Sequence, residues 1–166
     1  MKMQEEVIRH THRLLHSFHH WTGVPLLVND ENEVINNGNE ATVLSEEGCN
    51  NAQALFEAPF VVVSHGTEAD PIFNYGNRQA LRLWQMEWDQ FTQTPSRLTA
   101  EPMEWADRDR LLQQANANGF INNYQGVRIC STGQRFSIHN VILWNVIDEK
   151  GDCCGQAATF DQWNFL

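Results

Sequence analysis

From residue 120 onward the chain reads as three strand-like segments, residues 120–130, 134–147 and 153–163. They are joined by Ser131-Thr132-Gly133 and by Asp148-Glu149-Lys150-Gly151-Asp152. Glycine-containing links this short suit hairpin turns. Arg128 and Cys130 alternate with Val127 and Ile129, and Phe136 and Ile138 alternate with Arg135, Ser137 and His139. A period of two predicts antiparallel strands with one dry face and one wet face. A sheet of that kind must bury its apolar side against another layer. The rest of the chain has to supply that layer.

It is predicted to do so with helices. In residues 4–20, Val7, Ile8, Thr11, Leu14, Leu15 and Phe18 recur at helical spacing, which makes an amphipathic helix. Residues 22–43 are rich in Asn, Gly and Glu and read as an irregular connection with a short strand at residues 26–28. Residues 44–56 form a second helix, with Ser45 as cap and Glu46 and Glu47 in the first turn, where the helix dipole favours negative charge. The β-branched run of residues 60–65 reads as a strand, and residues 72–75 as another. Asn77 caps a helix over residues 78–85, residues 88–91 add a helical turn, and residues 103–116 form a longer helix stopped near Gly119. The expected architecture is α+β: an antiparallel sheet with helices on one face, a cavity between the two layers, and an N-terminal helical extension. Residues 1–57 form the extension and connection, and residues 58–166 the core.

The 166 residues suit one domain. A hydrophobic fraction of 42% against 19% charged marks a globular chain. The formal charge of −10, with no Lys/Arg run, speaks against nucleic acid and anionic lipid as partners. No apolar stretch approaches the ~20 residues of a membrane span, and the N-terminus lacks the apolar segment of a signal peptide. A cytoplasmic protein with reduced thiols is the expectation, and no output module is expected after Leu166. None of the four cysteines has CxxC spacing. Cys153 and Cys154 are expected to point to opposite faces of one strand.

Several stretches resemble the MEKHLA domain, a PAS-related family. They are residues 58–66, 70–81, 83–91 and 95–101, together with Gly126-Val-Arg-Ile, Arg135-Phe-Ser-Ile, Leu143-Trp-Asn and Gly155-Gln-Ala-Ala158. The Ile72–Asn77 segment resembles the PAS strand that ends at a helix-capping Asn. The resemblance spans about residues 5–165. It implies a PAS-like fold and a sensory or regulatory role, and it brings no catalytic residue. Flavin photosensors of the PAS class carry a Cys in an Asn-Cys-Arg-Phe segment. The similar place here, Pro95-Ser96-Arg97-Leu98, has Ser, so covalent flavin photochemistry is not expected, while non-covalent flavin binding stays open. In flavin-binding PAS domains a last-strand Gln contacts the ring, and Gln156 stands in the corresponding strand, facing either a ligand or solvent.

The aromatic content, six Trp and nine Phe, serves core and pocket alike. Phe73, Tyr75, Trp84, Trp88, Trp105, Tyr124 and Trp144 are the candidate pocket lining. Arg97 and Arg128 are the polar candidates, since an Arg beside aromatics can clamp a carboxylate. For Arg97 the competing expectation is a structural ion pair, to Glu101 or Asp89. The stripe of His12, His16 and His19 or His20 lacks the Glu of an HExxH motif and reads as solvated rather than metal-binding. Ser64 and His65 are adjacent in a strand and point apart, so a hydrolase pair is not expected.

The function that follows is a sensory or regulatory domain. It binds a small molecule of unspecified identity between sheet and helices and signals through association, with a homodimer through the N-terminal helix as one route. The rival readings are a ligand-free interaction module and a small enzyme. No metal, cofactor or catalytic residue is assigned.

Overall fold

The computed structural model describes residues 4–27, 44–100 and 105–166. Helix α1 (Glu5–Thr22) places Glu5 and Glu6 in its first turn and His19 and His20 in its last, each on the side the helix dipole favours. It stops at Gly23, whose φ of 77° closes the last turn by a bond from its N–H to the carbonyl of His19. Helix α2 (Glu46–Phe56) is capped by Ser45, whose hydroxyl accepts from the Gly48 N–H. Then come β1 (Val61–His65), β2 (Phe73–Gly76), α3 (Arg78–Trp84), α4 (Trp88–Phe91), a 3-10 turn (Ser96–Thr99) and α5 (Trp105–Asn118). Four strands finish the chain: β3 (Phe120–Ile129), β4 (Arg135–Ile147), β5 (Cys153–Phe160) and β6 (Gln162–Phe165).

The sheet runs β2-β1-β5-β4-β3, with every pairing antiparallel. The segment expected as one final strand is two. β5 ends at Phe160, and after Asp161 the chain continues along the same β4 as β6, pairing Ile138 with Trp163 and Phe136 with Phe165. At residues 26–27 there is a bend, with Leu26 and Leu27 packed against the core, and no strand. Val28 and the rest of the connection lie outside the described residues.

Two apolar layers hold the sheet. On its inner face Val61, Val63, Phe73, Leu143 and Phe160 pack with Ala80, Leu83 and Trp84 of α3 and Phe91 of α4, with Leu111 of α5 against them. On its outer face Val62, Tyr75, Trp144, Val146 and Ala157 pack with Leu14, Leu15 and Phe18 of α1 and Leu55 of α2. The α+β fold is as expected from the sequence: an antiparallel sheet, the core helices on one face, and an N-terminal helix. The expected wet face, however, is dry wherever α1 lies. β4 is buried almost without a break from Val141 to Ile147 because both of its sides are covered.

Candidate functional site

Between the inner face of the sheet and the helices lies a cavity of about 70 Å³. One water needs roughly 10–15 Å³ on this measure, so the space suits about five waters or a molecule of a few heavy atoms. Its apolar wall comes from Val63, Phe73, Trp84 and Leu111, and from Ile138, Val141, Leu143, Ala158 and Phe160 across the sheet. Its polar groups are His65 of β1, Ser96 and Thr99 of the 3-10 turn, Tyr124 and Arg128 of β3, and Gln156 of β5. Among the described lining residues there is no Asp or Glu.

Strand irregularities decide which side chains reach this cavity. In β1 and β2 the register runs Ser64 opposite Tyr75 and His65 opposite Phe73, which leaves Asn74 as an extra residue. A bulge of this kind flips the alternation. Phe73 therefore faces the cavity and Tyr75 the outer core, although strict alternation would put them together. A second pair of irregularities separates Ile121 from Tyr124 and Tyr124 from Gly126 against β4, where Asn123 (φ 59°) and Asn140 (φ 54°) take left-handed conformations. Asn tolerates that region better than most residues. These shifts bring Phe136 and Ile138 onto the same face as Val141 and Leu143.

Of the predicted lining residues, Phe73, Trp84 and Tyr124 border the cavity. Tyr75, Trp88 and Trp144 are gathered instead on the outer side, where Trp88 meets the Tyr75 ring edge-on at 5.8 Å and Trp144 meets Phe18 at 5.0 Å. Trp144 follows Leu143 in β4, and neighbours in a strand point to opposite faces. Arg97 is at the surface, its Nε donating to Asp70 Oδ1 at 2.9 Å. Asp70 is neither of the two acids expected as its partner, and Glu101 lies outside the described residues. The Trp105 side chain also lies outside the described residues.

Gln156 is buried and lines the cavity rather than facing solvent, its amide donating to Asn145 Oδ1 at 3.1 Å. The residues missed by sequence reading include Thr99 and Leu111, which the 3-10 turn and α5 bring in. A 3-10 turn has no periodic signature to find.

Arg128 is the cavity's guanidinium, 9% exposed. Its Nη2 donates to the Tyr124 hydroxyl at 3.0 Å and its Nη1 to the Val127 carbonyl at 2.8 Å, with the Tyr124 ring 5.6 Å away. Trp84 is 2% exposed, and its indole N–H has no hydrogen-bond partner among the described residues. The Trp84 ring meets Phe136 edge-on at 5.3 Å, and Phe136 is the cross-strand partner of Arg128. Such partners share a face with their Cβ atoms about 5 Å apart. The guanidinium itself runs back along β3 toward Tyr124, over Gly126, where a Cβ would sit 3.1 Å from Arg128 Nη1; it and the Trp84 ring both line the cavity.

On the other side of β1, the Ser64 hydroxyl donates to Asn74 Oδ1 and shares a 2.8 Å hydrogen bond with His10 Nε2 of α1. Burial and the neighbouring Arg13 charge push the His10 pKa down to about 4. Ser64 and His65 thus serve opposite faces and form no nucleophile–base pair. In α1 the rings of His12 and His16 stack 6.3 Å apart, and His16 and His20 follow at 6.1 Å. Among the described residues no group of three or more His, Cys, Asp or Glu is placed to hold a metal. The four cysteines are free thiols. No helix is long and apolar enough to cross a membrane, among the described residues.

No curated protein shows significant sequence similarity to the chain. Among solved structures, the PAS domain of a protein from Colwellia psychrerythraea is similar with a TM-score of 0.58 at 14% identity, over 68% of this chain and 94% of that one. A light-oxygen-voltage domain studied with a flavin analogue is similar with a TM-score of 0.55 at 13% identity, over 70% and 84%. A PAS domain from a two-component sensor histidine kinase gives 0.50 at 14%, over 69% and 91%. At these identities the likeness establishes the fold, which is of the PAS type. The family model of the MEKHLA domain matches residues 8–165, a span that takes in both the outer-face helix and the cavity-bearing core. The chain therefore belongs to the MEKHLA domain family.

Proposed function

We propose that this protein is a sensory or regulatory module that takes a small molecule into the inner cavity and reports it through α1. The observation that carries the reading is the alternation along β1, whose successive residues serve the two sides of the sheet. His65 lines the cavity, and Ser64 holds His10 of α1. A molecule seated against His65 and Gln156 acts on the strand that anchors α1. Two further groups support α1 as the reporting element. The Tyr75 hydroxyl and the Trp144 indole N–H are buried in the outer core without hydrogen-bond partners among the described residues. Each such group costs on the order of 1–3 kcal/mol, so undocking α1 would return part of that cost. A ligand shifts such an equilibrium only by its differential affinity for the two states.

The cavity is smaller than a three-ring flavin head, so an uncoloured metabolite fits it better. Binding without turnover is the function proposed: the described lining offers hydrogen-bond donors and rings. The apolar stripe of α1 is spent on the chain's own sheet, so association through that stripe would require α1 to leave it.

Native mass spectrometry of protein purified gently from its own host is the test. A stoichiometric adduct that is lost on denaturation is expected. Its absence, together with a cavity containing only water in a high-resolution crystal structure, overturns the reading.

A further inference from the structure

We infer that the cavity is a site for a small carboxylic acid with a short apolar tail, an assignment that rests on the sensory reading above. The polar end provides donors. The buried Trp84 indole N–H has no partner among the described residues, and an unmade bond at a buried donor is costly. An acceptor atom in the cavity removes that cost. The Arg128 guanidinium, a five-donor planar group suited to carboxylates, lines the same cavity as the indole ring. Tyr124 fixes the guanidinium by a hydrogen bond and by ring contact. Val63, Val141, Leu143 and Ala158 add an aliphatic surface along the sheet side of the cavity. That division matches a ligand with two acceptor oxygens at one end and a few methylenes at the other. A cationic amine would meet a guanidinium and an indole donor and gain nothing from either. The volume limits the tail to a short chain.

The experiment is titration calorimetry of the full chain with three probes of equal chain length: butyrate, butyramide and n-butylamine. Butyrate is expected to bind at least about tenfold more tightly than butyramide, the size of one charge-assisted hydrogen bond, and butylamine not at all. Arg128→Gln is expected to weaken butyrate by about tenfold while leaving butyramide nearly unchanged, and Trp84→Phe to weaken both by about tenfold, since an amide oxygen also accepts from the indole N–H. Their near-ultraviolet circular dichroism reports whether they fold. The three-probe comparison on the unaltered protein stands even if they do not. Butyramide or butylamine binding as tightly as butyrate overturns the acid assignment and leaves the cavity a ligand site. Failure of all three probes, with a neutral adduct seen by native mass spectrometry, also overturns the acid assignment alone. Failure of all three with no adduct of any kind removes both it and the sensory reading.

Discussion

Asn77 uses every hydrogen-bonding position it has. It is fully buried, and its Oδ1 accepts from the backbone N–H of Val62 and of Ala80, both at 3.1 Å. Its Nδ2 donates to the carbonyls of Phe60 at 2.8 Å and Leu55 at 3.2 Å. One side chain thus caps α3, anchors β1 and ties down the end of α2. Asn77→Asp keeps the shape but turns a carboxylate oxygen toward two carbonyls. It should cost about 2–4 kcal/mol in urea unfolding, while a loss below about 1 kcal/mol would show that the four bonds are not what holds the junction.

His10 gives a second prediction. The fold holds it neutral, with its pKa pushed from 6.5 down to about 4. Below pH ~6.5 the unfolded chain takes up a proton that the folded chain refuses. The stability tied to His10 is complete above that pH and falls away as pH drops toward 4. His10→Gln can still bond Ser64 and does not titrate. Between pH 7 and 4.5 the variant should lose about 2 kcal/mol less than the unaltered protein; parallel losses would mean His10 is not the group.

Helix α1 is held by burial more than by charge. Leu14, Leu15 and Phe18 are each less than 5% exposed, and full burial of such side chains is worth about 1.5–3 kcal/mol apiece. Arg13 reaches Glu149 in the β4–β5 turn through two 2.9 Å bonds, but the pair is open to solvent. Pairs like that contribute about 0–1 kcal/mol. Phe18→Ala should therefore cost about 3–5 kcal/mol and Arg13→Ala less than about 1. The reverse order in thermal or urea unfolding would make the helix an electrostatic attachment. Where α1 meets the start of β3, Trp21 donates to the Asn145 carbonyl at 2.8 Å and its ring lies over Gly119. Gly119 has φ 89°, and a Cβ there would sit 2.2 Å from the Trp21 ring. Only glycine satisfies both conditions.

Across the entire sheet, what could be read from sequence divides along physical lines. The meander was legible because alternation and glycine turns are local, and the caps at Ser45 and Asn77 were legible for the same reason. Which face Tyr75 takes was not, because the extra residue at Asn74 reverses parity without altering composition. The amphipathic stripe of α1 was plain, but a stripe does not say which surface it covers. The near-continuous apolar run Val141-Ile-Leu-Trp-Asn-Val-Ile147 was the available clue that β4 is buried on both sides. Arg97 and Arg128 were both polar candidates in sequence, and Arg97 was the one assigned to the pocket. The fold separates them, since one lies on an exposed turn beside Asp70 and the other in a strand that forms the cavity wall.

Strand β1 stands between the cavity and α1, with His65 on the cavity and Ser64 bonded to His10 of α1 on the other face of the sheet. Hydrogen–deuterium exchange across α1 tests that link without knowledge of the ligand, using Ala158→Val and Ala158→Leu to fill the cavity in steps. Exchange in residues 5–22 is expected to change progressively with filling while the largely exposed β6 stays constant. Unchanged exchange in α1, alongside altered exchange in the segments lining the cavity, would contradict the link.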